Sequence, residues 1–440
     1  MTSRLTRRDV IKAAGLGAGL LWAAPAMAAG GHHRAALRRP DSRPFPKVAA
    51  GTDMLPKIEH IVVLMMENHS FDNYFGMLGR GDGFGLDHSR RPTAMNRDAQ
   101  GKPVRAYHAP STCQANYDVS QSWTASHTAW NYGAMDGFVR GSSRDAMAYW
   151  TGADLPFYYS LGRTFPVCDR YFSSVMAQTY PNRRFLIAGT ALGQVSDPLP
   201  GPTDPAPPNG TIFDRLNQYG VSWTNYFVDL ATCMLFPSVP EHNPQHLAPL
   251  AKFFADAAAG TLPGFSLVDT EFNEASEENP QDIQTGEAVA AQVINAVLSG
   301  PAWDKTLLIW TYDEHGGYYD HVPPPRAVRP DGIKPDATPT YGDLYSYYGF
   351  RVPTVVVSPY ARKHYVSHVV HDHTSILKLV ETKWNLPALT YRDANASNLL
   401  DTVDLSASRP AFLDPPSLAA APAPTGAAVC YAEDATLPGP

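Results

Sequence analysis

Cysteine and positive charge are both scarce in this chain. Only four of its 440 residues are cysteines, and none of them forms a C-x-x-C pair, so a zinc knuckle is not expected. The formal net charge is −7, and 18 % of the residues are charged. A mildly acidic protein of this kind has no basic surface to attract a polyanion, which argues against nucleic acid as a partner.

Long apolar stretches are also missing, and the one notable run, residues 13–25, is short and rich in glycine and alanine. TRRDVIK (6–12) precedes it and resembles a twin-arginine export motif, and the cleavage signal AMA (26–28) follows it. We therefore expect a signal peptide at 1–28 that is read by the twin-arginine export machinery. The mature protein would be periplasmic or extracellular, without a stable membrane span; a single membrane anchor is the alternative.

An exported chain meets an oxidising compartment, in which disulfide bonds persist. One or two such bonds are expected among Cys113, Cys168, Cys233 and Cys430. The sequence does not decide which pair forms. A bond of Cys430 would tie a Pro/Ala-rich tail to the rest of the protein.

Proline and glycine are abundant, with 40 and 33 residues, and indicate many loops. PLPGPTDPAPPN (198–209) is predicted to be a loop, because prolines this dense deny backbone donors to helix or sheet. A flexible, basic arm is expected at 29–55, a folded body at 56–408, and a Pro/Ala-rich tail at 409–440.

Within the body, segments with strand character alternate with segments of helical spacing. Apolar, β-branched runs at 61–66, 307–311 and 352–357 predict buried strands. Apolar residues at helical spacing predict helices over 281–298 and 373–384. This alternation indicates an α/β fold with a mostly parallel sheet.

The first two of these strands end in oxygen-bearing side chains. One runs into Glu67 and Asn68, and the other leads to Asp313 and Glu314. In open α/β sheets the ligand site lies beyond the carboxyl ends of the strands, and carboxylate and amide oxygens bind hard cations. A solvated loop is the alternative for either pair alone. Together, the pairs predict an oxygen-rich metal site.

Five motifs of the body recur together in a known family. They are ENHSFDNYFG (67–76), WNYGAMDGF (130–138), TYPNR (179–183), TYDEHGGYYDHVPPP (311–325) and DHTSILKLVE (372–381). On these motifs the chain resembles the bacterial phospholipase C and acid phosphatase family of phosphoesterases, which also has plant non-specific phospholipase C members. The motifs span most of the chain in the family's order.

The resemblance implies an alkaline-phosphatase-like α/β sandwich, with a mostly parallel central sheet, helices on both faces and the catalytic domain at 56–408. It implies an exported, metal-dependent, phospholipase C-like hydrolase that cleaves phosphate esters through a phospho-threonine intermediate. The expected substrate is a phospholipid or a small phosphate ester. An acid phosphatase acting on phosphomonoesters is the first alternative, and a non-catalytic binder of phosphorylated ligands is the second.

The resemblance also places the family's metal ligands on Glu67, Asn68, Asp313 and Glu314. Three carboxylates concentrate negative charge that a cation would relieve. Oxygen-only ligands suit one divalent ion such as calcium, magnesium, manganese or iron better than zinc.

Thr179 is the predicted nucleophile. The segment 181–188 has helical character, and a hydroxyl at its start would face free N–H groups that suit phosphate oxygens. A simple helix cap is the alternative role for this threonine. Asn182 and Arg183 are predicted to bind phosphate oxygens, with a structural role left open for Arg183.

Three histidines are candidate site residues. His127 is a candidate acid or base, and His315 and His373 are candidate substrate-binding residues of family motifs, although a structural role is the default for a lone histidine. Relatives commonly place histidines where this chain has Gln121 and Asn279. Both are predicted to contact substrate, but neither can deliver a proton to a leaving group.

Overall fold

The computed structural model describes residues 36–423 except 116, 202 and 340, together with Cys430. The predicted signal peptide lies outside these residues. Across the described part of the chain, no helix combines the length and apolar character that a bilayer crossing requires.

The described residues contain β-strands that divide into one large sheet and two small ones. In chain order the strands are β1 (His60–Met66), β2 (Met95–Arg97), β3 (Pro103–Arg105), β4 (Tyr107–His108), β5 (Ala148–Tyr149), β6 (Val167–Cys168), β7 (Trp223–Phe227), β8 (Leu247–Pro249), β9 (Phe265–Asp269), β10 (Thr306–Tyr312), β11 (Thr354–Val357) and β12 (Val366–Ser367).

The large sheet has eight strands in the order β12-β6-β11-β10-β1-β9-β7-β8. Strand β11 runs antiparallel to both of its neighbours, and all other pairings of this sheet are parallel. Non-consecutive neighbours such as β1 and β10 require crossover connections, which helices provide.

The α-helices cover the sheet and carry several candidate site residues. They are α1 (Phe71–Phe75), α2 (Trp123–Trp130), α3 (Phe138–Gly141), α4 (Pro156–Thr164), α5 (Thr179–Ala188), α6 (Ile212–Gln218), α7 (Ser238–His242), α8 (Leu250–Ala259), α9 (Ile283–Ser299), α10 (His373–Trp384) and α11 (Tyr391–Ala394).

The centre of the large sheet is covered on both faces. Every residue of β10 and every residue of β1 after His60 is buried. Successive side chains of a strand point to opposite faces, so complete burial requires packing on both sides. The predicted α/β class with a mostly parallel central sheet is confirmed.

Most local predictions match the structure. The strands predicted at 61–66, 307–311 and 352–357 appear as β1, β10 and β11, and the predicted helices appear as α9 and α10. The described part of the Pro-rich stretch 198–209 contains neither helix nor strand, as its prolines predict.

The N-terminal arm predicted at 29–55 was expected to be flexible, but its described residues form specific contacts with the folded body. Asp41 N–H donates to Ala388 O at 2.8 Å, and Phe45 N–H donates to Asn385 Oδ1 at 2.9 Å. Lys383 Nζ lies 2.8 Å from Asp53 Oδ1. These contacts hold this stretch on the body. The residues that it contacts lie more than 300 positions further along the chain, so no local sequence pattern predicts the contacts.

Cys113 is bonded to Cys430, whereas Cys168 and Cys233 are buried free thiols. The sequence did not decide which cysteines pair, and the structure gives this pair. The bond ties residue 430 to the segment that leads to Gln121. Burial raises the pKa of both free thiols, so they remain protonated and unreactive.

Candidate functional site

The two predicted pairs of metal ligands emerge side by side from the sheet. Strands β1 and β10 are parallel neighbours, and their last residues, Met66 and Tyr312, lie opposite each other. Asp313 N–H donates to Met66 O at 3.2 Å and continues the pairing beyond the strands. All four predicted ligands are buried at this edge, namely Glu67, Asn68, Asp313 and Glu314.

The backbone is constrained where the two strand ends meet. Asn68 has a φ of 101°, a value that a non-glycine residue rarely adopts and that is often found at functional sites. Gly316 packs so closely that a Cβ atom there would lie 1.8 Å from Asn68 O. Only glycine fits at that position, and its close approach holds the loop after β10 against Asn68.

The electrostatics of this edge are those of crowded, buried carboxylates. Burial, together with the charges of Glu278 and Asp313, raises the pKa of Glu67 well above its usual range. Burial and the Asp313 charge likewise raise the pKa of Glu314. Burial also raises the pKa of Asp313, although the Arg183 guanidinium opposes that shift. A cation at this edge would favour the ionised forms.

Two carboxylate oxygens at this edge have no partner among the described residues. Glu67 Oε2 and Glu314 Oε1 are buried and make no hydrogen bond within that part of the chain. An unpaired buried acceptor is costly, and a hard cation satisfies oxygen acceptors directly. These orphaned oxygens, together with the carboxylate and amide character of the set, fit a divalent ion that prefers oxygen.

Arg183 already neutralises part of this charge. Its Nε donates to Asp313 Oδ2 at 2.9 Å, and its guanidinium lies 3.7 Å from Glu67 Oε1. Among the described residues, Glu67, Asp313 and Glu314 do not form a group whose oxygens all lie within 4.8 Å of one another. The guanidinium of Arg183 therefore supplies part of the positive charge that these carboxylates require, and their role as metal ligands stays a prediction.

Within the described residues, the acidic and histidine side chains that do meet within 4.8 Å are Asp72, Asp320 and His321. Arg351 contacts both carboxylates, with Nε 2.9 Å from Asp320 Oδ1 and a terminal nitrogen 3.1 Å from Asp72 Oδ1. Although burial alone would lower it, the pKa of His321 is raised to about 9 by its hydrogen bond to Asp72. Two cationic side chains thus balance two carboxylates in this group.

Thr179 lies beside one of the predicted ligands. It is the first residue of α5, it is buried, and its hydroxyl donates to Asn68 Oδ1 at 3.3 Å. The N-cap of α5 is Gln178, which makes no capping bond with its side chain. The hydroxyl of Thr179 is therefore directed at Asn68, at the edge where β1 and β10 end, and does not cap its own helix.

Asn182, whose predicted contact with substrate stays a prediction, bonds to the backbone around the start of α5. Its amide oxygen accepts from Val175 N–H at 3.1 Å, and its amide nitrogen donates to the carbonyls of Val175, Ala177 and Gln178. All of these bonds are buried or nearly so. Asn182 therefore fixes the turn that leads into α5, which makes it a positioning residue for Thr179.

Arg183 makes the contacts of the structural role that the sequence left open, and its contact with phosphate stays a prediction. Besides Asp313, it donates to Thr232 Oγ1 at 3.1 Å and to Asp269 Oδ1 at 3.0 Å. Its remaining terminal nitrogen reaches Met66 O at 3.4 Å. The side chain is almost fully buried, so its donors are committed to the protein.

His127 is held in a separate buried contact. Its Nδ1 lies 2.8 Å from Trp123 O, and its Nε2 lies 3.3 Å from Asp343 Oδ2. Its ring stacks on Tyr341 with centroids 4.7 Å apart. Both ring nitrogens are engaged, and the ring packs α2 against the loop around residue 343. The catalytic role of His127 stays a prediction.

His315 and His373 contact the predicted ligands. His315 Nδ1 lies 2.9 Å from Glu314 Oε2, and His373 Nε2 lies 2.7 Å from Asp313 O. Burial lowers the pKa of His315 to about 3 and that of His373 to about 4, so both rings are neutral. These contacts orient the residues beside them, and the predicted contact of both histidines with substrate stays a prediction.

Gln121 and Asn279 lie around a carboxylate that the sequence analysis did not include. Gln121 Nε2 donates to Glu278 Oε1 at 3.0 Å, and Asn279 donates to Tyr117 O at 3.2 Å. Burial, followed by the charges of Asp313 and Asp197, raises the pKa of Glu278 to about 7. The sequence signal for Glu278 was its neighbour Asn279, which stands where relatives commonly have a histidine.

Asp197 is the second missed residue, and it belongs to the loop before the Pro-rich stretch. Tyr180 N–H donates to Asp197 Oδ1 at 2.7 Å. Burial and the nearby charge of Asp313 raise the pKa of Asp197 to about 6, while bonds from the Tyr180 and Thr179 backbone oppose the shift. No sequence spacing links this carboxylate to α5.

Comparison with known proteins places this geometry in context. The model of the Phosphoesterase family matches residues 58–387. Phospholipase C B of Mycobacterium tuberculosis is 31 % identical over 434 residues, covering 84 % of this chain and 82 % of the relative. Non-specific phospholipase C1 of Arabidopsis thaliana is 31 % identical over 374 residues, covering 77 % of this chain and 69 % of the relative.

A solved structure of a protein in the alkaline phosphatase superfamily from Vibrio parahaemolyticus is also similar. It is 9 % identical with a TM-score of 0.40, and the alignment covers 84 % of this chain and 73 % of that one.

Proposed function

Because the chain belongs to the phosphoesterase family, and is thus a hydrolase acting on phosphoric ester bonds, we propose that it is a phospholipase C-like enzyme that uses Thr179 as its nucleophile. The observation that carries this proposal is the 3.3 Å contact between the Thr179 hydroxyl and Asn68 at the edge formed by β1 and β10. The proposed substrate is a phospholipid headgroup ester or a related phosphodiester, with phosphomonoesters second. We assign this chemistry to the domain at 56–408.

Glu67, Asn68, Asp313 and Glu314 are the residues that would hold one divalent cation, with calcium, magnesium, manganese and iron as the candidates. Such an ion supplies positive charge that lowers the pKa of a nearby hydroxyl and neutralises phosphate oxygens. The orphaned oxygens of Glu67 and Glu314 support this assignment.

The chain's own residues prepare the covalent step. Asn68 orients the Thr179 hydroxyl, Asn182 fixes the turn before it, and Arg183 holds Asp313. The Thr179 oxygen forms a bond to phosphorus as the bond between phosphorus and the leaving oxygen breaks. The hydroxyl proton passes to solvent, and the leaving oxygen departs as an oxyanion that takes a proton from solvent. Water then cleaves the phospho-threonine, which releases the phosphate product and restores the hydroxyl.

Protonation of the leaving oxygen is expected to be weak in this enzyme. Gln121 and Asn279 carry no dissociable proton, and both nitrogens of His127 are engaged elsewhere. A positioned acid contributes roughly 10²–10⁴-fold. We therefore expect rates that fall steeply as the pKa of the leaving group rises from a nitrophenol to an alcohol.

Asn279→His is expected to raise the rate selectively on the poor leaving groups, since it returns an imidazole to this position. The measurement is the slope of log kcat/KM against leaving-group pKa for a series of phosphate diesters. His127→Ala tests the predicted role of His127: a steeper slope than in the wild type would show that His127 delivers the proton, and an unchanged slope would show that it does not. A flat slope in the wild type would show that leaving-group protonation is intact and that its donor lies elsewhere.

We also propose export through the twin-arginine route, on the basis of the motif at 6–12. Arg7→Lys combined with Arg8→Lys keeps the charge but removes the feature that the export receptor reads. The expected result is uncleaved precursor in the cytoplasm, measured by fractionation and immunoblotting. Arg4→Lys, outside the pair, is the matched control. Normal export of the double variant would refute this route.

A further inference from the structure

The start of helix α5 offers no free backbone donors, contrary to the expectation from the sequence. The Tyr180 N–H donates to Asp197 Oδ1 at 2.7 Å, and the Thr179 N–H also bonds to this carboxylate. Residue 181 is a proline and has no N–H, and the Asn182 N–H donates to Gln178 O at 3.4 Å. Every donor that a phosphate oxygen would use at this helix start is therefore absent or occupied.

The charge around Thr179 on this side is negative. Asp197 accepts from the N–H of Tyr180, the residue next to Thr179, and burial together with the nearby charge of Asp313 raises the pKa of Asp197. The cationic side chain that reaches this cluster is Arg183, and its donors are committed to Asp313, Asp269, Thr232 and Met66 O. Four of the five N–H donors of Arg183 are used in these bonds, and the guanidinium also lies 3.7 Å from Glu67 Oε1, so its positive charge already balances carboxylates of the protein.

Phosphomonoesters and phosphodiesters differ in the charge that this site would meet. Above pH 7 a monoester carries close to two negative charges, since its second pKa is about 6, whereas a diester carries one. A fixed carboxylate beside the reacting phosphorus repels the doubly charged monoester more strongly than the singly charged diester, so it weakens binding of the monoester more.

From these contacts we infer that Asp197 is a specificity-determining residue that selects phosphodiesters over phosphomonoesters. It does so by occupying the donors of α5 and by placing a negative charge beside Thr179. This inference rests on the proposed phosphoesterase chemistry at Thr179 and names the determinant of its substrate class.

The test compares wild type and Asp197→Asn on two substrates with the same leaving group, methyl p-nitrophenyl phosphate and p-nitrophenyl phosphate. Asparagine keeps an oxygen for the Tyr180 N–H and removes the charge. At pH 8 the wild type should favour the diester, and Asp197→Asn should lower the diester-to-monoester ratio of kcat/KM by about tenfold or more.

Inhibition gives a readout that a purely structural role of Asp197 would not change. Inorganic phosphate should inhibit Asp197→Asn about tenfold more tightly than wild type, while inhibition by dimethyl phosphate, which is a monoanion, should change much less. Asp214→Asn is the matched control because Asp214 accepts from Thr211 N–H in the capping box of α6. It should leave both the ratio and the phosphate inhibition as in wild type.

A wild type that prefers the monoester, or an Asp197→Asn ratio within about twofold of wild type, would overturn the inference. An equal shift in Asp214→Asn would also overturn it, since the effect would then be general. If Asp197→Asn does not fold, Asp197→Ser removes the same charge and keeps a short acceptor. Failure of the proposed function looks different: neither ester would be hydrolysed by the wild type.

Discussion

Replacing Thr179 with alanine is expected to lower kcat by at least roughly 10³-fold, because covalent catalysis loses its nucleophile. Thr179→Ser should retain part of the rate, since its hydroxyl can still be directed at Asn68. Steady-state kinetics on a nitrophenyl phosphodiester provide the measurement. Mass spectrometry after acid quench should find the phosphoryl group of the substrate, with its remaining ester group, bound to the hydroxyl oxygen of residue 179 in the wild type and in Thr179→Ser.

Thr211→Ala is the control for a structural effect. Thr211 is a true N-cap, whose hydroxyl accepts from Asp214 N–H at the start of α6. Its loss should cost about 1 kcal/mol of stability and leave kcat close to wild type. If Thr179→Ala behaves in the same way, with reduced stability and normal turnover, then Thr179 only supports its helix and the proposed intermediate does not form.

Removal of divalent cations is expected to abolish turnover. The buried carboxylates of Glu67, Asp313 and Glu314 would then face one another with only Arg183 to balance them, and the hydroxyl of Thr179 would keep its ordinary pKa. The measurement is activity after dialysis against EDTA, with metal content determined on the same sample. Separate addition of calcium, magnesium, manganese and iron identifies the ion that restores activity.

Glu314→Gln tests the site independently of activity. It should lower the metal content of the purified protein and reduce the rise in melting temperature that added metal causes, because a ligand bound only to the folded state stabilises it. Glu59→Gln, which breaks an exposed pair with Lys305, is the matched control and should bind metal normally. Full activity in protein shown to be free of metal would rule out the proposed ion.

Arg183 illustrates why the candidate site was only partly predictable. The motif TYPNR placed an arginine one turn after the nucleophile, and this position suits a phosphate contact. Whether its guanidinium turns toward substrate depends on Asp269, which ends β9, and on Asp313, which follows β10. Such partners are distant in sequence, and burial makes their pairing decisive.

The histidines show the same limit. A histidine in a motif is equally compatible with a proton donor and with a buried support, and the choice depends on what each ring nitrogen meets. His127 meets Trp123 O and Asp343, and His373 meets Asp313 O. Glu278 and Asp197 were missed because loops carry them, and loops have no periodicity from which a contact can be read.

The sequence by itself determined the elements that local pattern encodes: the buried strands β1 and β10, the helices α9 and α10, and the family, through contiguous motifs. Parallel strands align their carboxyl ends, so it also determined that Glu67, Asn68, Asp313 and Glu314 would share one edge. The tertiary structure alone decided the Cys113–Cys430 bond and the surroundings of Thr179. Contacts between distant segments are set by packing and by the satisfaction of buried charges, and these act only once the chain is folded.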